Sequence, residues 1–294
     1  MLRAAQRREQ APIQESKRRK VKSSFLSKFW FHLVLIVLAV LFLAPLVYIL
    51  LNSFKSADEI FQVPQSILPK EWTLENYAAA ISKGFIDYFR NSVVITVGGV
   101  LLTVLLSSLA GYGFAKLPFR GANFVLLTIV ATLTVPLVIF LVPMYLMENE
   151  VGLLDTNLGL LLPNVAVSLP FAILIMRASF IAIPKEIEES ATMDGAGVLR
   201  RWWAVMLPMA RNGMVLVVIM TSYAIWGEYT IAKALTMDPA AMPLSVGLTL
   251  LKGEVWQYGI LAAVIVLAML PPIIIFIIFQ KHIVAGVAQG AVKG

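Results

Sequence analysis

The sequence predicts an all-α integral membrane protein with six transmembrane helices, and three observations favour this fold class. Hydrophobic residues make up 59% of the 294 residues and charged residues only 14%, whereas soluble domains contain about 45–50% apolar and about 25% charged residues. Several apolar runs reach the roughly 20 residues that cross a ~30 Å hydrocarbon core as a helix. Basic residues also concentrate in alternate segments between these runs, as expected of a multi-span protein.

The spans follow one another from the N-terminus. The first 28 residues are polar and rich in Lys and Arg, which predicts a basic cytoplasmic tail at the lipid surface. The apolar run after it is longer than a signal-peptide core, so we expect it to remain as the first span. A transmembrane domain over 29–281 then precedes a tail at 282–294, and its six spans are predicted at about 29–51, 91–115, 122–147, 158–181, 212–234 and 257–280.

The segments between the spans carry local signals. Residues 52–89 are predicted to form an external loop with a short helix at 74–81. Residues 148–157 are predicted to form a solvated acidic turn. Small residues such as Gly98, Gly99 and Gly111 indicate close packing of the second span. Prolines are predicted to kink the third span and to interrupt the fourth, at Pro136, Pro143, Pro163 and Pro170.

The distribution of basic residues predicts the orientation. Six spans that start inside place both termini in the cytoplasm. Most of the 24 Lys and Arg residues then fall in cytoplasmic segments, in agreement with the resistance of flanking Lys and Arg to translocation. The polar stretch 184–208 therefore faces the cytoplasm. The formal charge of +7 follows this topology, so we expect lipid contact and no nucleic-acid partner.

The polar stretch 184–208 has a pattern of its own. Pro184 suits the first turn of a helix. Carboxylates follow where the helix dipole favours them, at Glu186, Glu188 and Glu189. Asp194 and Gly195 predict a break, after which a basic and aromatic amphipathic piece begins near Arg200 and ends at Leu207-Pro208. An acidic helix, a glycine turn and a basic-aromatic helix together indicate a surface that docks another protein.

The sequence contains no set of residues typical of an enzyme active site. Cysteine is absent, which excludes a disulfide framework, a thiolate nucleophile and a cysteine-based metal site. It contains neither a nucleophile-elbow motif nor a phosphate-binding glycine loop. Glu228 is the one carboxylate inside a predicted span, where an ionisable group is costly. It either contacts a hydrated solute path or makes an interhelical hydrogen bond. Other residues that would line such a path, or only pack helices, are Asn164, Tyr223, Trp226, Tyr229 and Tyr112.

The stretch 184–208 resembles the EAA loop of permease subunits from bacterial ABC importers. The family pattern is Glu-Ala-Ala, three residues, Gly, nine residues, Ile, one residue and Leu-Pro. Every spacing is kept here, with Ser190 and Val205 as the two departures, in Glu189-Ser190-Ala191, Gly195, Val205 and Leu207-Pro208. Matches typical of the carbohydrate-uptake branch related to the maltose permease are Asn52-Ser53-Phe54-Lys55, Leu74-Glu75-Asn76-Tyr77, Trp226-Gly227-Glu228-Tyr229 and the tail Gly290-Ala291-Val292-Lys293-Gly294. That family usually has Asn where Gly227 stands.

The resemblance implies a heteromeric importer of the type I fold in the bacterial inner membrane. Its partners would be a second similar permease, two ATPase subunits and an extracytoplasmic binding protein that delivers a sugar or oligosaccharide. ATP and Mg would be bound by the ATPase subunits, so this chain would bind no cofactor and would not be catalytic. The implied coupling residues are Glu189, Ser190, Ala191, Asp194, Gly195, Ala196, Leu207 and Pro208. A second ATPase contact is implied for Gln289, Gly290, Ala291, Val292, Lys293 and Gly294.

Two other classes of protein remain as alternatives. A stand-alone secondary transporter would predict inverted repeats around a charged midplane site, and the sequence shows one acid and no repeat. An integral membrane enzyme would need paired carboxylates near an interface. Glu148 and Glu150 are the nearest pair, but they fall in the turn predicted on the outer side. The permease interpretation is therefore preferred.

Overall fold

A computed structural model describes residues 25–250 and 258–291, with side chains described for 28–250 and 258–281. The chain forms two compact units, residues 1–47 and 48–294. The described part of the first unit belongs to helix α1 (Phe25–Asn52), whose apolar side chains are exposed. The predicted basic tail lies outside the described residues as far as residue 24.

The described residues contain helices and no β-strand, which confirms the all-α fold class. Short 3₁₀ turns and one five-residue π-helical stretch join some of the α-helices. After α1 the helices are α2 (Ala57–Ile60), α3 (Glu75–Ser82), α4 (Phe85–Lys116), α5 (Ala122–Ala131), α6 (Leu141–Val151), α7 (Asn157–Ile181), α8 (Lys185–Met193), α9 (Val198–Arg201), α10 (Leu207–Met209), α11 (Arg211–Trp226), α12 (Thr230–Leu235), α13 (Leu244–Leu250) and α14 (Tyr258–Ala291).

Four helices of the described chain are long and apolar enough to cross a membrane, and two bent pairs raise the possible number of spans to six. The four are Lys28–Asn52, Phe85–Lys116, Asn157–Ile181 and Tyr258–Lys281. One bent pair joins Ala122–Thr134 to Leu137–Val151 at 100°, and the other joins Val198–Met209 to Arg211–Trp226 at 79°. Six crossings therefore require that each bent pair be counted as one span.

The contacts between α4 and α7 show that these helices run in the same direction. A Cβ on Gly98 would lie 2.5 Å from Leu161 of α7, and a Cβ on Gly111 would lie 2.7 Å from Met176. A later residue of α4 thus contacts a later residue of α7, as in parallel helices. The bent pair α5–α6 lies between these helices in the chain and must return across the bundle. This supports counting the pair as one crossing. The predicted close packing of the second span is also observed here.

The later helices alternate in direction. Gly213 near the start of α11 faces Ser179 near the end of α7, and Ile225 at the end of α11 faces Gly99 in the first half of α4. Helix α11 therefore runs opposite to α4 and α7. The Tyr223 hydroxyl donates to the Pro272 carbonyl (2.9 Å) and the Trp226 Nε1 donates to the Ala268 carbonyl (3.1 Å), so α14 runs opposite to α11.

The prolines act differently from the sequence prediction. The third span is not one kinked helix, because the chain turns by 100° at Val135–Pro136, where Val135 is extended (φ −85°, ψ 123°) as a residue before proline prefers. Pro143 lies in the first turn of α6, where its missing N–H has no intrahelical partner to lose. Pro163 and Pro170 lie inside the continuous helix α7, so the predicted interruption of the fourth span is wrong.

Two further boundaries differ from the prediction. Helix α4 begins at Phe85, six residues before the predicted 91, because the polar residues of its first turns still belong to the helix. The fifth span is not continuous over 212–234, since α11 ends at Trp226 and α12 begins at Thr230. Glu228 therefore lies in a break between two helices.

Among its described residues the second unit has two buried apolar clusters, one toward each end of the bundle. One joins α4, α7, α11, α12 and α13 around Tyr88, Leu160 and Ile231. The other joins α4, α7 and the segment 202–210 around Tyr112, Phe180 and Met206. We call these ends the α12 end and the α8 end. The clusters fix the elements that carry the candidate site.

The connection between α1 and α4 is held by buried polar groups. The Lys55 side chain is 0% exposed, and its Nζ donates to the Ser66 carbonyl (2.6 Å). The Glu59 Oε1 accepts from the Ser66 hydroxyl (2.7 Å) and from the Lys70 amide (2.8 Å). The Ser66 hydrogen bond is the main cause that lowers the pKa of Glu59. Helix α3 lies at the position that the sequence predicts for a short helix.

Candidate functional site

The polar stretch 184–208 folds into two helices joined by a glycine turn. Helix α8 follows Pro184 and ends at Asp194, and Gly195 has a left-handed φ of +78°. The Ala196 amide donates to the Ala191 carbonyl and the Gly195 amide to the Thr192 carbonyl, both at 3.0 Å. This pair of bonds is a Schellman motif, whose left-handed residue is usually glycine because a Cβ is unfavourable there. Asp194 and Gly195 thus end the helix, where the sequence predicts a break.

The two faces of α8 line different depressions. Lys185, Glu188, Glu189 and Thr192 face a cleft of about 680 Å³ that is closed on its other side by the turn 117–123. The opposite face lines a shallower depression of about 430 Å³ through Glu186, Ile187, Ser190, Ala191 and Asp194. The predicted coupling residues are therefore divided, with Glu189 on the first face and Ser190, Ala191 and Asp194 on the second.

The first face of α8 is tied to neighbouring elements. The Tyr112 hydroxyl of α4 donates to the Glu188 Oε1 at 2.7 Å. One turn further along α4, the Lys116 Nζ donates to the Ile183 carbonyl at 2.8 Å. The Arg201 guanidinium of α9 donates to the Thr192 hydroxyl. Helix α8 is thus held to both α4 and α9 through this one face.

The second helix of the stretch is continuous from Val198 to Met209 and contains a π-helical segment at Trp202–Met206. Trp202, Met206 and Leu207 are buried in the cluster at the α8 end, whereas Trp203 and Pro208 are exposed. The helix continues beyond the predicted end at Leu207-Pro208, and the chain then turns by 79° into α11. The base of the stretch is therefore fixed by apolar burial.

The turn between α8 and α9 is the exposed part of the stretch. The Met193 side chain is 89% exposed, and Leu199 is also largely exposed. Asp194, Gly195 and Gly197 are exposed as well. A Cβ on Gly195 would meet nothing within 4 Å. The tip of the stretch therefore presents apolar side chains at the surface, while its base is buried.

Two of the candidate path residues meet at a small cavity near the α12 end. Asn164 of α7 and Glu228 line it together with Ser92 of α4. It offers about 10 Å³ to a water-sized sphere, which is at the lower limit for one water. The residues are polar and convergent, but the space is too small for a sugar in this conformation.

Glu228 makes its hydrogen bonds within its own segment. Its Oε1 accepts from the Ile231 amide (2.7 Å) and its Oε2 from the Ala232 amide (2.9 Å). The Glu228 carbonyl accepts from the Ser245 hydroxyl (2.6 Å). A carboxylate that accepts from free N–H groups at a helix start is a helix cap. The expected interhelical side-chain bond is not formed in the described chain, because both carboxylate oxygens cap α12.

The aromatic candidates lie elsewhere. Tyr223 and Trp226 hydrogen-bond to carbonyls of α14, and the Trp226 ring packs edge-on against Phe89 at 5.6 Å. Tyr229 precedes α12 and is exposed. These three residues therefore do not line the cavity of Asn164 and Glu228. Tyr112 lies at the α8 end and contacts Glu188.

The C-terminal candidates are only partly described. The backbone at Gln289, Gly290 and Ala291 continues helix α14, so the helix extends beyond the predicted end of the sixth span. Val292, Lys293 and Gly294 lie outside the described residues. The ATPase contact assigned to this tail stays a prediction.

Comparison with known proteins shows the family. Residues 103–289 match the family described as "Binding-protein-dependent transport system inner membrane component". The chain belongs to this family. The matched region contains most of the bundle and the whole stretch 184–208. The chain is therefore a multi-pass component of the inner membrane.

Several named permeases are similar over nearly the full chain. The diacetylchitobiose uptake system permease protein NgcG of Streptomyces coelicolor is 34% identical, covering 89% of this chain and 88% of its own. The arabinooligosaccharides transport system permease protein AraQ of Bacillus subtilis is 29% identical over 89% of this chain and 94% of its own. The maltodextrin transport system permease protein MdxG of the same organism is 27% identical over 92% and 97%.

A solved structure shares the fold. A chain of a bacterial ABC transporter involved in the import of the acidic polysaccharide alginate superposes with a TM-score of 0.78 at 24% identity. The match covers 88% of this chain and 97% of that chain. This likeness supports the type I importer fold for the permease.

Sequence reasoning missed some contacts and misjudged one carboxylate. Glu148 is not in a solvated turn, because it lies in α6 with only 7% of its surface exposed. Its Oε2 has no hydrogen-bond partner among the described residues and would lie 2.7 Å from a Cβ on Gly159. The Tyr112–Glu188 bond joins residues 76 apart, and no local pattern in the sequence marks such a pair.

Proposed function

We propose that the chain is one of two permease subunits of an ATP-driven importer that translocates a sugar or oligosaccharide. The named relatives take up diacetylchitobiose, arabinooligosaccharides and maltodextrin, which supports a carbohydrate substrate. The family description supports delivery of this substrate by a binding protein. A second permease and two ATPase subunits complete the proposed assembly. ATP and Mg belong to the ATPase subunits, and this chain is not catalytic.

The α8–α9 unit carries the proposed coupling function. Its base is buried and hydrogen-bonded, while its tip around Met193, Gly195 and Leu199 is exposed. An ATPase that grips this tip would move α8 without unfolding its base. Glu189, Ser190, Ala191, Asp194, Gly195 and Ala196 form the proposed docking element, and Leu207 and Pro208 belong to its base. The tail from Gln289 onward is the proposed second contact.

The helix directions support a cytoplasmic α8 end. Helices α4 and α7 end there, α11 begins there, and α14 ends there. Cations concentrate at the same end, which favours the cytoplasmic side; they are Lys116, Arg120, Lys185, Arg200, Arg201 and Arg211. The α12 end, with Asn164 and Glu228, then lies toward the exterior. In this conformation the cavity between them is closed to a sugar.

Transport follows as a shift between two states of the bundle. ATP binding closes the ATPase pair, the docked α8 units move with it, and the spans rock between inward- and outward-open arrangements. ATP shifts this equilibrium only by its different affinity for the two states. In this account Asn164 and Glu228 line the part of the path that opens at the α12 end.

A pair of glycine variants tests the coupling function. Gly195 and Gly152 both end a helix with a left-handed φ (+78° and +70°), and a Cβ at either meets nothing within 4 Å. Gly195→Trp and Gly152→Trp therefore carry similar backbone strain. We expect Gly195→Trp to abolish co-purification of the ATPase and ATP-dependent uptake, while Gly152→Trp retains ATPase association. Equal ATPase association of both variants would refute the proposal.

A further inference from the structure

The way α8 is joined to α4 suggests how its motion reaches the bundle. We infer that Tyr112 is a positioning residue of the transport cycle, and this inference rests on the proposed coupling function. The hydrogen bond from its hydroxyl to Glu188 fixes helix α8, which faces the ATPase, to α4. A displacement of α8 therefore moves α4. Tyr112 contacts neither solute nor ATPase in this scheme. It acts through Glu188.

The geometry of the Tyr112–Glu188 bond suits a permanent link. The Tyr112 side chain is 2% exposed, so water has little access to compete for its hydroxyl. The hydroxyl oxygen lies 2.7 Å from the Glu188 Oε1, which is the usual distance for an O–H···O hydrogen bond. The ring packs edge-on against Phe180 of α7, with centroids 5.7 Å apart. The hydroxyl is thus held in place by packing as well as by its own bond.

A second bond makes the attachment stiff. Lys116 lies one helical turn after Tyr112, on the same face of α4. Its Nζ donates a hydrogen bond to the Ile183 carbonyl. Ile183 precedes α8 and Glu188 lies within it, so α4 holds both the entry and the body of that helix. Two points of attachment resist rotation of α8 about either one. A single bond would act only as a pivot.

The same part of α4 is in contact with α7. Gly111 precedes Tyr112, and a Cβ on it would lie 2.9 Å from the Arg177 amide nitrogen and 2.7 Å from the Met176 Cβ. The two backbones therefore approach each other closely, one residue away from the link to α8. Close-packed elements transmit displacement and do not absorb it. A movement of α8 would pass through Tyr112 to α4 and then to α7, which carries Asn164.

The link also leaves the other face of α8 available. Glu188 belongs to the face that looks toward α4 and the turn 117–123. Glu186, Ser190 and Asp194 lie on the opposite face and are exposed. Glu189 shares the face of Glu188, but the other docking residues of α8, Ser190, Ala191 and Asp194, lie on the side away from α4. A variant of Tyr112 is expected to leave docking intact.

The experiment uses the complete complex of permeases and ATPase, with a reporter in the cavity at the α12 end. The chain has no native cysteine, so an Ile95→Cys variant provides a single thiol on this subunit. Ile95 is buried and lines the cavity of Asn164 and Glu228. The rate of maleimide labelling with and without Mg-ATP measures how far nucleotide binding opens that end. The thermal stability and the ATPase content of each complex are measured in parallel.

We expect Tyr112→Phe and Glu188→Ala each to reduce the Mg-ATP response about tenfold, a factor equal to ~1.4 kcal/mol, with ATPase content unchanged. Phenylalanine keeps the packing on Phe180, and Glu188→Gln keeps an acceptor oxygen, so Gln should retain most of the response. The double variant should be no worse than either single variant, because both remove the same bond.

Three outcomes would overturn the inference. A Tyr112→Phe complex that keeps its full Mg-ATP response would show that the bond does not transmit motion, even if its thermal stability falls. A Glu188→Gln response as weak as that of Glu188→Ala would show that the acceptor oxygen is not what matters. Failure of the chain with native Ile95 to associate with the ATPase would refute the proposed coupling function itself, and the inference with it.

Discussion

Gly111 and Gly113 lie on the same helix but in different surroundings, and their alanine variants should change stability in opposite directions. A Cβ at Gly111 would come within 2.7 Å of the Met176 Cβ, 2.9 Å of the Arg177 nitrogen and 3.0 Å of the Met176 carbonyl carbon. Two of these are backbone atoms, which no side-chain rotation can move away. A Cβ at Gly113 would meet nothing within 4 Å.

The expected magnitudes follow from two opposing terms. Alanine gains about 1 kcal/mol over glycine in a helix interior, and this gain applies to both positions. Overpacking typically costs 1–3 kcal/mol, and it applies only at Gly111, where α4 and α7 must separate by roughly 0.7 Å to restore ordinary contact distances. Gly113→Ala should therefore raise the free energy of unfolding. The free energy of unfolding of Gly111→Ala should be about 1–3 kcal/mol lower than that of Gly113→Ala.

The assay is reversible unfolding in mixed micelles with increasing dodecyl sulfate, followed by far-UV circular dichroism. Gly111→Ala should also weaken the Mg-ATP response at the α12 end, because the separation displaces Tyr112 from Glu188. Equal unfolding midpoints for the two variants would refute the close approach of α4 and α7. A stabilised Gly111→Ala variant would refute it more strongly.

Two further predictions concern carboxylates at the α12 end and in the loop after α1. Because the pKa of Glu59 lies below its ordinary value of 4.5, its stabilisation of the loop is full above that value and is lost as pH falls through the lowered pKa. The protection of the Lys70 amide, which is its exchange rate relative to the intrinsic rate at the same pH, should decrease over that acidic range. Glu59→Gln should remove this pH dependence, and its persistence would contradict the assignment. Glu228→Ala should destabilise the permease by about 1 kcal/mol through loss of the α12 cap, with Glu228→Gln between it and the native chain in unfolding measurements. A Glu228→Gln variant with native stability and lost uptake would instead indicate a direct role in the solute path.

The sequence was sufficient for the features that depend on local chemistry. Composition and apolar run length predict the helical membrane class, because backbone groups in lipid must be paired within the segment. The end of α8 is also predictable, since Asp194-Gly195 supplies the left-handed residue that the Schellman turn needs. The small residues of α4 correctly indicate its close contact with α7.

Features that depend on tertiary contacts were not predictable. The apolar run across 212–234 conceals the break at Gly227–Tyr229, because hydropathy does not register a carboxylate that caps a new helix. Pro136 breaks its span and Pro163 does not, although both are prolines in apolar sequence, so packing decides the outcome. Glu148 appears solvated in the sequence and is buried in the fold because α7 returns beside it.

The central claim is that a separate ATPase grips the tip of the α8–α9 unit from the cytoplasm. Met193 at this tip is 89% exposed, and Met237 at the α12 end is 69% exposed, so they form a matched pair for single-cysteine crosslinking in a chain without native cysteine. With the co-expressed ATPase in native membranes, Met193→Cys should crosslink to the ATPase and Met237→Cys should not. A crosslink from Met237→Cys, or labelling of Met193→Cys by an impermeant reagent added outside the cell, would contradict the claim.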